Sequence, residues 1–273
     1  MALLDAVRPS VLTRPFSWGR LPRLSGGRWL SPVILLLLWE LGSRFGLIPP
    51  RVLAAPSSVV QTMAGMIASG ELPSNMLVSL ARATAGLGIG LVLGVGLALV
   101  SGLSKRGELA FDSPLQMLRT LPSLALSPLF IVWFGIGETP KIALIAFAST
   151  FPIYLNLYSG IRGVDVKLVE AARSFGLKGL DLIVHVIIPG ALPSFLLGLR
   201  YALTVSWLML VVAEQINAQA GLGYLINNAR DFMRTDVIVV CLLVYAILGL
   251  GADALVRTLE RRALAWRPSL VER

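Results

Sequence analysis

Long apolar stretches separated by short polar ones make up most of this chain. Two of them carry no charge over their whole length, the 21 residues of Ala83–Leu103 and the 20 residues of Ile142–Ile161. About 20 such residues cross the roughly 30 Å hydrocarbon core of a bilayer as a helix, and barrel strands lack such runs. The pattern predicts an all-α polytopic membrane protein with six transmembrane helices. The predicted spans are Leu30–Ile48, Ala83–Leu103, Leu115–Ile136, Ile142–Ile161, Gly190–Ala213 and Val237–Ala252.

Two of these spans are less regular than the others. The first contains Glu40 and Arg44, and the third has Arg119 near its start with Pro122 and Pro128 inside. Proline kinks a membrane helix but is tolerated where neighbouring groups satisfy the freed carbonyls. We therefore expect both segments to cross the bilayer as helices.

Two segments between the spans are long enough to hold structure of their own. A helix is predicted near Ser57–Ser69, begun by the Pro56-Ser57-Ser58 run. A short amphipathic helix at the membrane surface is predicted around Gly221–Ile226.

Basic residues cluster in alternate loops. On one predicted side of the membrane lie 16 of the 24 Lys and Arg residues. By the positive-inside rule, both termini and the loop 162–188 face the cytoplasm. We divide the chain into a basic N-terminal segment 1–29, a transmembrane domain 30–256 and a basic tail 257–273. The first segment has no apolar h-region, so we expect no cleavable signal peptide.

Composition narrows the function classes. Hydrophobic residues make up 56% of the chain and charged residues 14%, with a mean hydropathy of +0.78. These values exclude a soluble enzyme, a disordered chain and, with one cysteine, a disulfide scaffold. The net charge of +9 follows the membrane topology, without an aromatic-interleaved basic stripe, so we expect no nucleic-acid partner.

Reactive groups are scarce. No Gly-x-x-x-x-Gly-Lys-Ser/Thr phosphate loop occurs, and one His with one Cys cannot form a metal cluster. We expect Cys241 to be a packed thiol in the sixth span and His185 to be a packing or surface residue. The chain is therefore expected to be non-catalytic and to bind no cofactor itself.

Small residues recur at every fourth position of the second span. They are Gly86, Gly90, Gly94, Ala98 and Gly102. Such a ladder lets another helix approach closely. Packing within the chain is the favoured interpretation, and a dimer seam is the alternative.

The loop 162–188, here called the elbow, is the most informative stretch. Glu170, Ala171, Ala172 and Arg173 favour a short helix, with Glu170 near its start to complement the helix dipole. Gly176 is where this helix is expected to end, and a second short helix then leads to Pro189, which opens the fifth span. A helix–glycine–helix elbow of this kind is shaped to dock into a groove on a soluble partner.

The elbow resembles a known family. Glu-Ala-Ala, glycine six positions on and proline nineteen positions on is similar to the EAA loop of the membrane subunits of bacterial ABC importers. The ending Val186-Ile187-Ile188-Pro189 departs conservatively from the family's Ile-x-Leu-Pro. From about Leu30 to Pro268 the chain resembles the branch that imports sulfonates, taurine and nitrate, and most of all the aliphatic sulfonate permeases. The likeness is carried by residues 118–122, 133–136, 151–154, 160–162, 213–214, 221–225, 228–230 and 235–237.

The resemblance implies a type I ABC importer permease fold. It also implies a permease subunit of an ATP-driven, binding-protein-dependent importer for a small organic anion, most of all an aliphatic sulfonate. The implied partners are a second permease copy, two cytoplasmic ABC ATPase subunits that hold ATP and Mg, and an external substrate-binding protein. The implied ATPase-coupling residues are Glu170, Ala171, Ala172, Arg173, Gly176 and Pro189.

A sulfonate carries a fixed negative charge, so its path needs hydrogen-bond donors or positive potential at membrane depth. Arg119 is the first candidate to line that path, with structural pairing to Glu40 or Asp112 as an equal alternative. Arg82 and Arg200, near span ends, are further candidates, unless they snorkel to headgroups.

Glu214 is the acidic candidate for the pathway. Two interpretations are open for it. It pairs with Arg230 or Arg234 at an outer gate, or it caps the end of the fifth span.

Other transport functions stay open at this point. The same machinery importing taurine, nitrate or another small compound is the first alternative. An ion-coupled secondary transporter would usually show repeated halves and intramembrane acids. Here Glu40 is the single mid-span acid.

Overall fold

The computed structural model describes residues 27–216 and 218–266, with side chains from Leu30 onward. Every regular element in these ranges is a helix. The helices are α1 (Gly27–Arg44), α2 (Pro56–Ala68), α3 (Glu71–Leu103), α4 (Lys105–Thr120), α5 (Ser127–Phe134), α6 (Thr139–Arg162), α7 (Val166–Ser174), α8 (Gly179–Leu182), α9 (Ile188–Gln215), α10 (Leu222–Asp231) and α11 (Thr235–Ala263).

Helix α6 is the centre of the bundle, with 14 of its 24 residues buried. The parallel helix α3 packs against one side of it through the small-residue ladder. A Cβ added to Gly86 would lie 2.6 Å from the Cβ of Ile145, and one on Gly94 would lie 2.9 Å from the Cβ of Ile153. Real side chains do not fit there, so the interpretation of the ladder as packing within the chain is confirmed.

Helix α9 also packs against α6, runs antiparallel to it and contacts α3 as well. Gly198 makes this approach possible, since a Cβ there would lie 2.8 Å from the Cβ of Asn156. Helices α10 and α11 then pack on α9, and α2 packs on α11. The bundle therefore has two ends, one carrying the elbow and the other, here called the far end, carrying the loop between α9 and α11.

The third predicted span is broken. Helix α4 ends at Thr120, and the pair formed by α4 and the residues Ser123–Phe134 is bent by 90°. The cause is Pro122, which excludes the preceding residue from the helical region; Leu121 accordingly has φ −71° and ψ 129°. Pro128 lies in the first turn of α5, where no N–H is needed. The prediction of one helix over Leu115–Ile136 is wrong.

Helix α4 is amphipathic and is held to α6 by its carboxylates. Asp112 accepts a hydrogen bond of 2.9 Å from the Tyr154 hydroxyl, and Glu108 accepts one of 2.6 Å from the Tyr158 hydroxyl. Glu108 also pairs with Arg162 at the start of the elbow. These contacts hold α4 to the elbow half of α6.

Within the described residues, four helical stretches are long and apolar enough to cross a membrane. They are α3, α6, Gly179–Gln215 and α11, and the bent pair of α4 and α5 brings the number to five. Helix α1 is only 18 residues long and includes Arg28, Glu40 and Arg44. Six spans therefore remain a prediction for the chain.

Two helices extend beyond the spans predicted for them. The helix of the fifth span does not begin at Pro189, because one helical stretch runs from Gly179 to Gln215. A π-turn over Ile183–Ile187 widens the helix just where the proline ring would otherwise collide with the preceding turn. Helix α11 continues to Ala263, across the predicted boundary at 257. Most of the predicted N-terminal segment lies outside the described residues.

The predicted helix near Ser57–Ser69 is α2, and the predicted helix around Gly221–Ile226 is α10. Helix α2 has no cap from its own preceding side chain. Its first turn is satisfied from α1, where the Glu40 carboxylate accepts hydrogen bonds from the backbone N–H (3.0 Å) and the hydroxyl (2.9 Å) of Ser57. Arg44 completes this contact at 2.6 Å. The mid-span acid thus joins two helices.

Candidate functional site

The elbow is a pair of helices separated by a sharp turn at Gly176. Helix α7 starts at Val166, and the Asp165 side chain accepts a hydrogen bond from the Lys167 N–H. At the other end, Gly176 has φ +89°, the left-handed region that favours glycine. The Gly176 N–H donates to the Arg173 carbonyl (2.9 Å), and the Leu177 N–H donates to the Ala172 carbonyl (3.1 Å). This is the Schellman ending of a helix, as the sequence predicted for Gly176.

Glu170 does not lie where the sequence placed it. It is the fifth residue of α7, mid-helix and exposed, and the helix start is capped by Asp165. Its carboxylate therefore does not complement the N-terminal dipole. Of the predicted coupling residues, Ala172 is buried, while Ala171 and Arg173 are exposed.

The elbow presents large apolar side chains to the surroundings. They are Val166 (66% exposed), Leu168 (60%), Phe175 (86%) and Leu180 (77%). Several exposed apolar side chains on one element are typical of a protein or membrane contact surface. The elbow carries four of them on its two short helices and the turn between them.

The far end of the bundle contains a buried ion network that the sequence did not reveal. Its centre is Arg82 of α3, which is only 3% exposed. The Nη1 group donates to Glu214 Oε1 at 2.7 Å and to the Ala220 carbonyl at 2.7 Å. The Nε and Nη2 groups both donate to the carboxylate of Glu138, in the turn before α6. Arg82 therefore does not snorkel to headgroups.

Glu214, near the end of α9, is completely buried. Besides Arg82, its carboxylate accepts hydrogen bonds from the hydroxyls of Ser79 (2.7 Å) and Tyr245 (2.8 Å) and from the Gly223 N–H (2.9 Å). The partners predicted from the sequence are wrong, because Arg230 contacts Asp231 and Arg234 contacts Asp236. Glu214 ties four helices together instead of facing an open path.

The loop between α9 and α10 approaches this network closely. Gly221 has φ +106°, and a Cβ there would lie 2.5 Å from both Arg82 Nη1 and Glu214 Oε1. Its N–H donates to the Asn75 side chain at 2.7 Å, and the next N–H, of Leu222, donates to Ser79 at 2.8 Å. The glycines of the Gly221-Leu222-Gly223 run therefore let the backbone approach the buried side chains of Arg82 and Glu214.

Glu138 differs from the other members of the network because it is 55% exposed. Lys141, one turn into α6, is 6% exposed and donates to Glu138 Oε1 at 3.1 Å. Hydrogen bonds from Arg82 first, and from Lys141, hold the pKa of the Glu138 carboxyl below its ordinary value. The carboxylate is thus ionised at neutral pH and bridges two buried cations.

The two remaining predicted cations lie elsewhere. Arg119, the first candidate for the pathway, is exposed near the end of α4. Its two predicted partners are engaged with other groups, Glu40 with Ser57 and Asp112 with Tyr154. Arg200 is in the middle of α9, not near its end, and its Nε lies 3.1 Å from Asp253 Oδ1 of α11. The structure thus brings together Arg82 and Glu214, but not Arg119 or Arg200.

Sequence reasoning missed Glu138, Lys141, Ser79 and Tyr245. The first two stand in a short polar turn between apolar stretches, which is typical of a solvated loop. No local signal shows that Arg82 meets both Glu138, which is 56 positions away in the chain, and Glu214, which is 132 positions away. Among the described residues no group of His, Cys, Asp and Glu is arranged to hold a metal ion.

A comparison with protein families finds one match over most of the chain. The profile of the family described as binding-protein-dependent transport system inner membrane component matches residues 90–264. This range includes the elbow and Glu214, but begins beyond Arg82.

Similar proteins are named as sulfonate permeases. The putative aliphatic sulfonates transport permease protein SsuC of Escherichia coli K12 is 49% identical over 88% of this chain and 92% of its own length. The protein of the same name from Bacillus subtilis 168 is 44% identical over 88% of this chain and 87% of its own.

Solved structures support the fold. The chain is similar to an amino acid ABC transporter crystallised with histidines, with a TM-score of 0.62. The two are 22% identical, and the match covers 73% of this chain and 97% of that one. At this identity the likeness speaks for the arrangement of helices alone.

Proposed function

Because this chain belongs to the family of binding-protein-dependent transport system inner membrane components, and is therefore the permease subunit of an ABC importer, we propose that its cargo is an aliphatic sulfonate. Relatives that carry this substrate in their names are 49% and 44% identical to it over 88% of its length. The family membership sets aside an ion-coupled secondary transporter and a membrane enzyme.

The elbow is the proposed docking element for a cytoplasmic ATPase subunit. The observation that carries this proposal is the exposed apolar turn around Phe175, held in one shape by the glycine ending of α7. A rigid turn transmits a movement of its partner to α6 and α9, because the elbow is continuous with both helices. Glu170, Ala171, Ala172, Arg173, Gly176 and Pro189 are its proposed coupling residues.

The proposed assembly has two copies of this chain, two ATPase subunits and one external substrate-binding protein. ATP and Mg are held by the ATPase subunits. The chain lies in the bacterial inner membrane with both termini in the cytoplasm, as the excess of Lys and Arg on the elbow side favours. In this orientation the far end of the bundle faces the binding protein.

The elbow is tested by Gly176→Asp with Gly70→Asp as the matched control. Both glycines have positive φ, +89° and +77°, and no atom lies within 4 Å of the place of a new Cβ. Each substitution costs about 1–2 kcal/mol of backbone strain, but Gly70 lies between α2 and α3, at the far end. We expect Gly176→Asp alone to abolish uptake and to reduce ATPase co-purification, with the variant still inserted in the membrane.

The substrate is tested by ATPase activity in proteoliposomes that contain this chain, its ATPase and the binding protein. Stimulation by alkanesulfonates alone supports the proposed cargo. Stimulation by taurine or nitrate instead keeps the importer mechanism and changes the cargo. Equal ATPase recruitment by the two glycine variants would contradict the role of the elbow.

A further inference from the structure

Two buried cations at the far end share one exposed anion. The side chains of Arg82 and Lys141 are 3% and 6% exposed, whereas that of Glu138 is 55% exposed. A buried cation without a counterion is costly, so a carboxylate or its equivalent has to occupy this position. The exposed carboxylate is the one member of the cluster that is able to leave without disturbing the packing.

The hydrogen bonds of Arg82 divide into a fixed half and an exchangeable half. The Nη1 group is held by Glu214 and by the Ala220 carbonyl, both at 2.7 Å, inside the bundle. The Nε and Nη2 groups form the opposite edge of the guanidinium, and both donate to Glu138. Lys141 adds a third donor to the same carboxylate at 3.1 Å. Three donors and one net positive charge therefore face a single replaceable group.

A sulfonate head group fits this arrangement chemically. It is a fixed monoanion, and two of its oxygens match the fork of a guanidinium edge as a carboxylate does. With Glu214 in place, exchange of Glu138 for a sulfonate leaves the charge of the cluster unchanged, since one monoanion replaces another. The third oxygen of the sulfonate is then available to Lys141.

An apolar cleft begins beside the same lysine. Its cavity volume is about 20 Å³, room for about one water-sized group, and it is bounded by α5, α6 and the end of α9. Its lining includes Lys141 and Pro140, with Phe130, Ile131 and Leu144 behind them. One cation at the mouth and apolar side chains behind it match the first methylene group that follows a charged head group.

We propose that Arg82 and Lys141 form a binding subsite for the anionic head group of the transported molecule, and that Glu138 occupies this subsite as an internal ligand when cargo is absent. The first methylene group of the cargo's alkyl chain lies in the adjacent cleft. This inference rests on the proposed function for the identity of the cargo, a sulfonate. It adds the place where the permease itself holds that cargo.

The test measures thermal stabilisation of the purified permease–ATPase complex by butanesulfonate at constant ionic strength. Glu138→Gln removes the competing carboxylate, so we expect half-maximal stabilisation at a concentration about ten-fold lower than for the unchanged protein, the effect of one charge-assisted pair. Dimethyl sulfone, a neutral probe, should stabilise neither protein. Asp236→Asn is the matched control, because it removes a far-end carboxylate that pairs with the exposed Arg234.

Four results would overturn the proposal. The first is an unchanged half-maximal concentration for Glu138→Gln, and the second is a shift of equal size for Asp236→Asn. The third and fourth are thermal stabilisation by chloride, or by dimethyl sulfone, equal to that by butanesulfonate. If Glu138→Gln does not yield folded complex, Lys141→Gln replaces it. This variant removes a donor to the head group, so its half-maximal concentration must rise, and an unchanged value contradicts the subsite.

Uptake of butanesulfonate by the complete importer separates this inference from the proposed function. If the importer takes up butanesulfonate but Glu138→Gln does not shift the half-maximal concentration for stabilisation, the subsite alone is overturned. A shift without uptake would support an anion subsite and overturn the sulfonate cargo.

Discussion

The elbow and the far-end ion network are held in place by opposite means. The elbow owes its shape to neighbours in the sequence, a cap at Asp165 and a left-handed Gly176 eleven residues later. The network joins side chains from α3, α6, α9 and α11, with directly bonded side chains up to 135 residues apart in the chain. One region is exposed and apolar, and the other is buried and charged.

This difference teaches where each region is vulnerable. A substitution on the elbow surface removes no buried contact, so it should change docking and leave stability intact. A substitution in the network leaves another charge buried without its partner, which is one of the largest single costs in proteins. Three predictions test this division, in order of decreasing effect on stability.

Glu214→Ala should have the largest effect on stability. It leaves Arg82 buried beside Glu138 alone and empties the space of a completely buried side chain. We expect a loss of about 3–5 kcal/mol, seen as a large fall in the thermal midpoint and in the yield of folded permease in detergent. Glu214→Gln, nearly the same size, should lose most of that amount if the charge is what matters.

The matched control for Glu214 is Glu108→Gln, at the elbow end. Glu108 pairs with Arg162, but the two side chains are 35% and 43% exposed. The cost of the substitution should therefore stay below about 1 kcal/mol. If Glu214→Gln and Glu108→Gln melted at the same temperature, burial would not distinguish the two regions.

Tyr245→Phe should have an intermediate effect. The Tyr245 hydroxyl donates to Glu214 Oε2 at 2.8 Å in the core, while Glu214 keeps Arg82, Ser79 and a backbone N–H. We expect a loss of about 1–2 kcal/mol, measured as a shift of the thermal midpoint. Tyr201→Phe on α9, where the side chain is 55% exposed, provides the control and should leave the midpoint in place. A midpoint for Tyr245→Phe equal to that of the unchanged protein would show that its hydroxyl adds nothing to the network.

Phe175→Ser should have the smallest effect on stability. The ring is 86% exposed, so the thermal midpoint of the free permease should change by less than the equivalent of about 0.5 kcal/mol. Co-purification with the ATPase should fall because an apolar contact is lost. If Phe175→Ser lowered the thermal midpoint but still recruited the ATPase, the residue would belong to the core instead of an interface.

Much of the fold is predictable from the sequence. Uncharged runs predicted α3 and α6 directly, and the spacing of Gly86, Gly90 and Gly94 predicted the close helix contact that joins them. Proline was the main source of error. Pro122 breaks the third span where a kink was expected, and Pro189 is absorbed into a longer helix by a π-turn where a helix start was expected. Both outcomes depend on what surrounds the freed carbonyls, which the sequence does not state.

The candidate sites divide in the same way. The amino-acid sequence by itself determined the turn of the elbow at Gly176, since the end of a helix at a glycine is decided by neighbouring residues; the start of α7 at Asp165 was not predicted. Only the tertiary structure decided which ions pair, because Arg82 meets Glu214 and Glu138 only after α3, α6 and α9 have packed. Charges at membrane depth need partners, but the sequence alone offers several acids that could be the partner of each cation. The packing of the glycine ladder selects one arrangement, and with it the place of the buried charges.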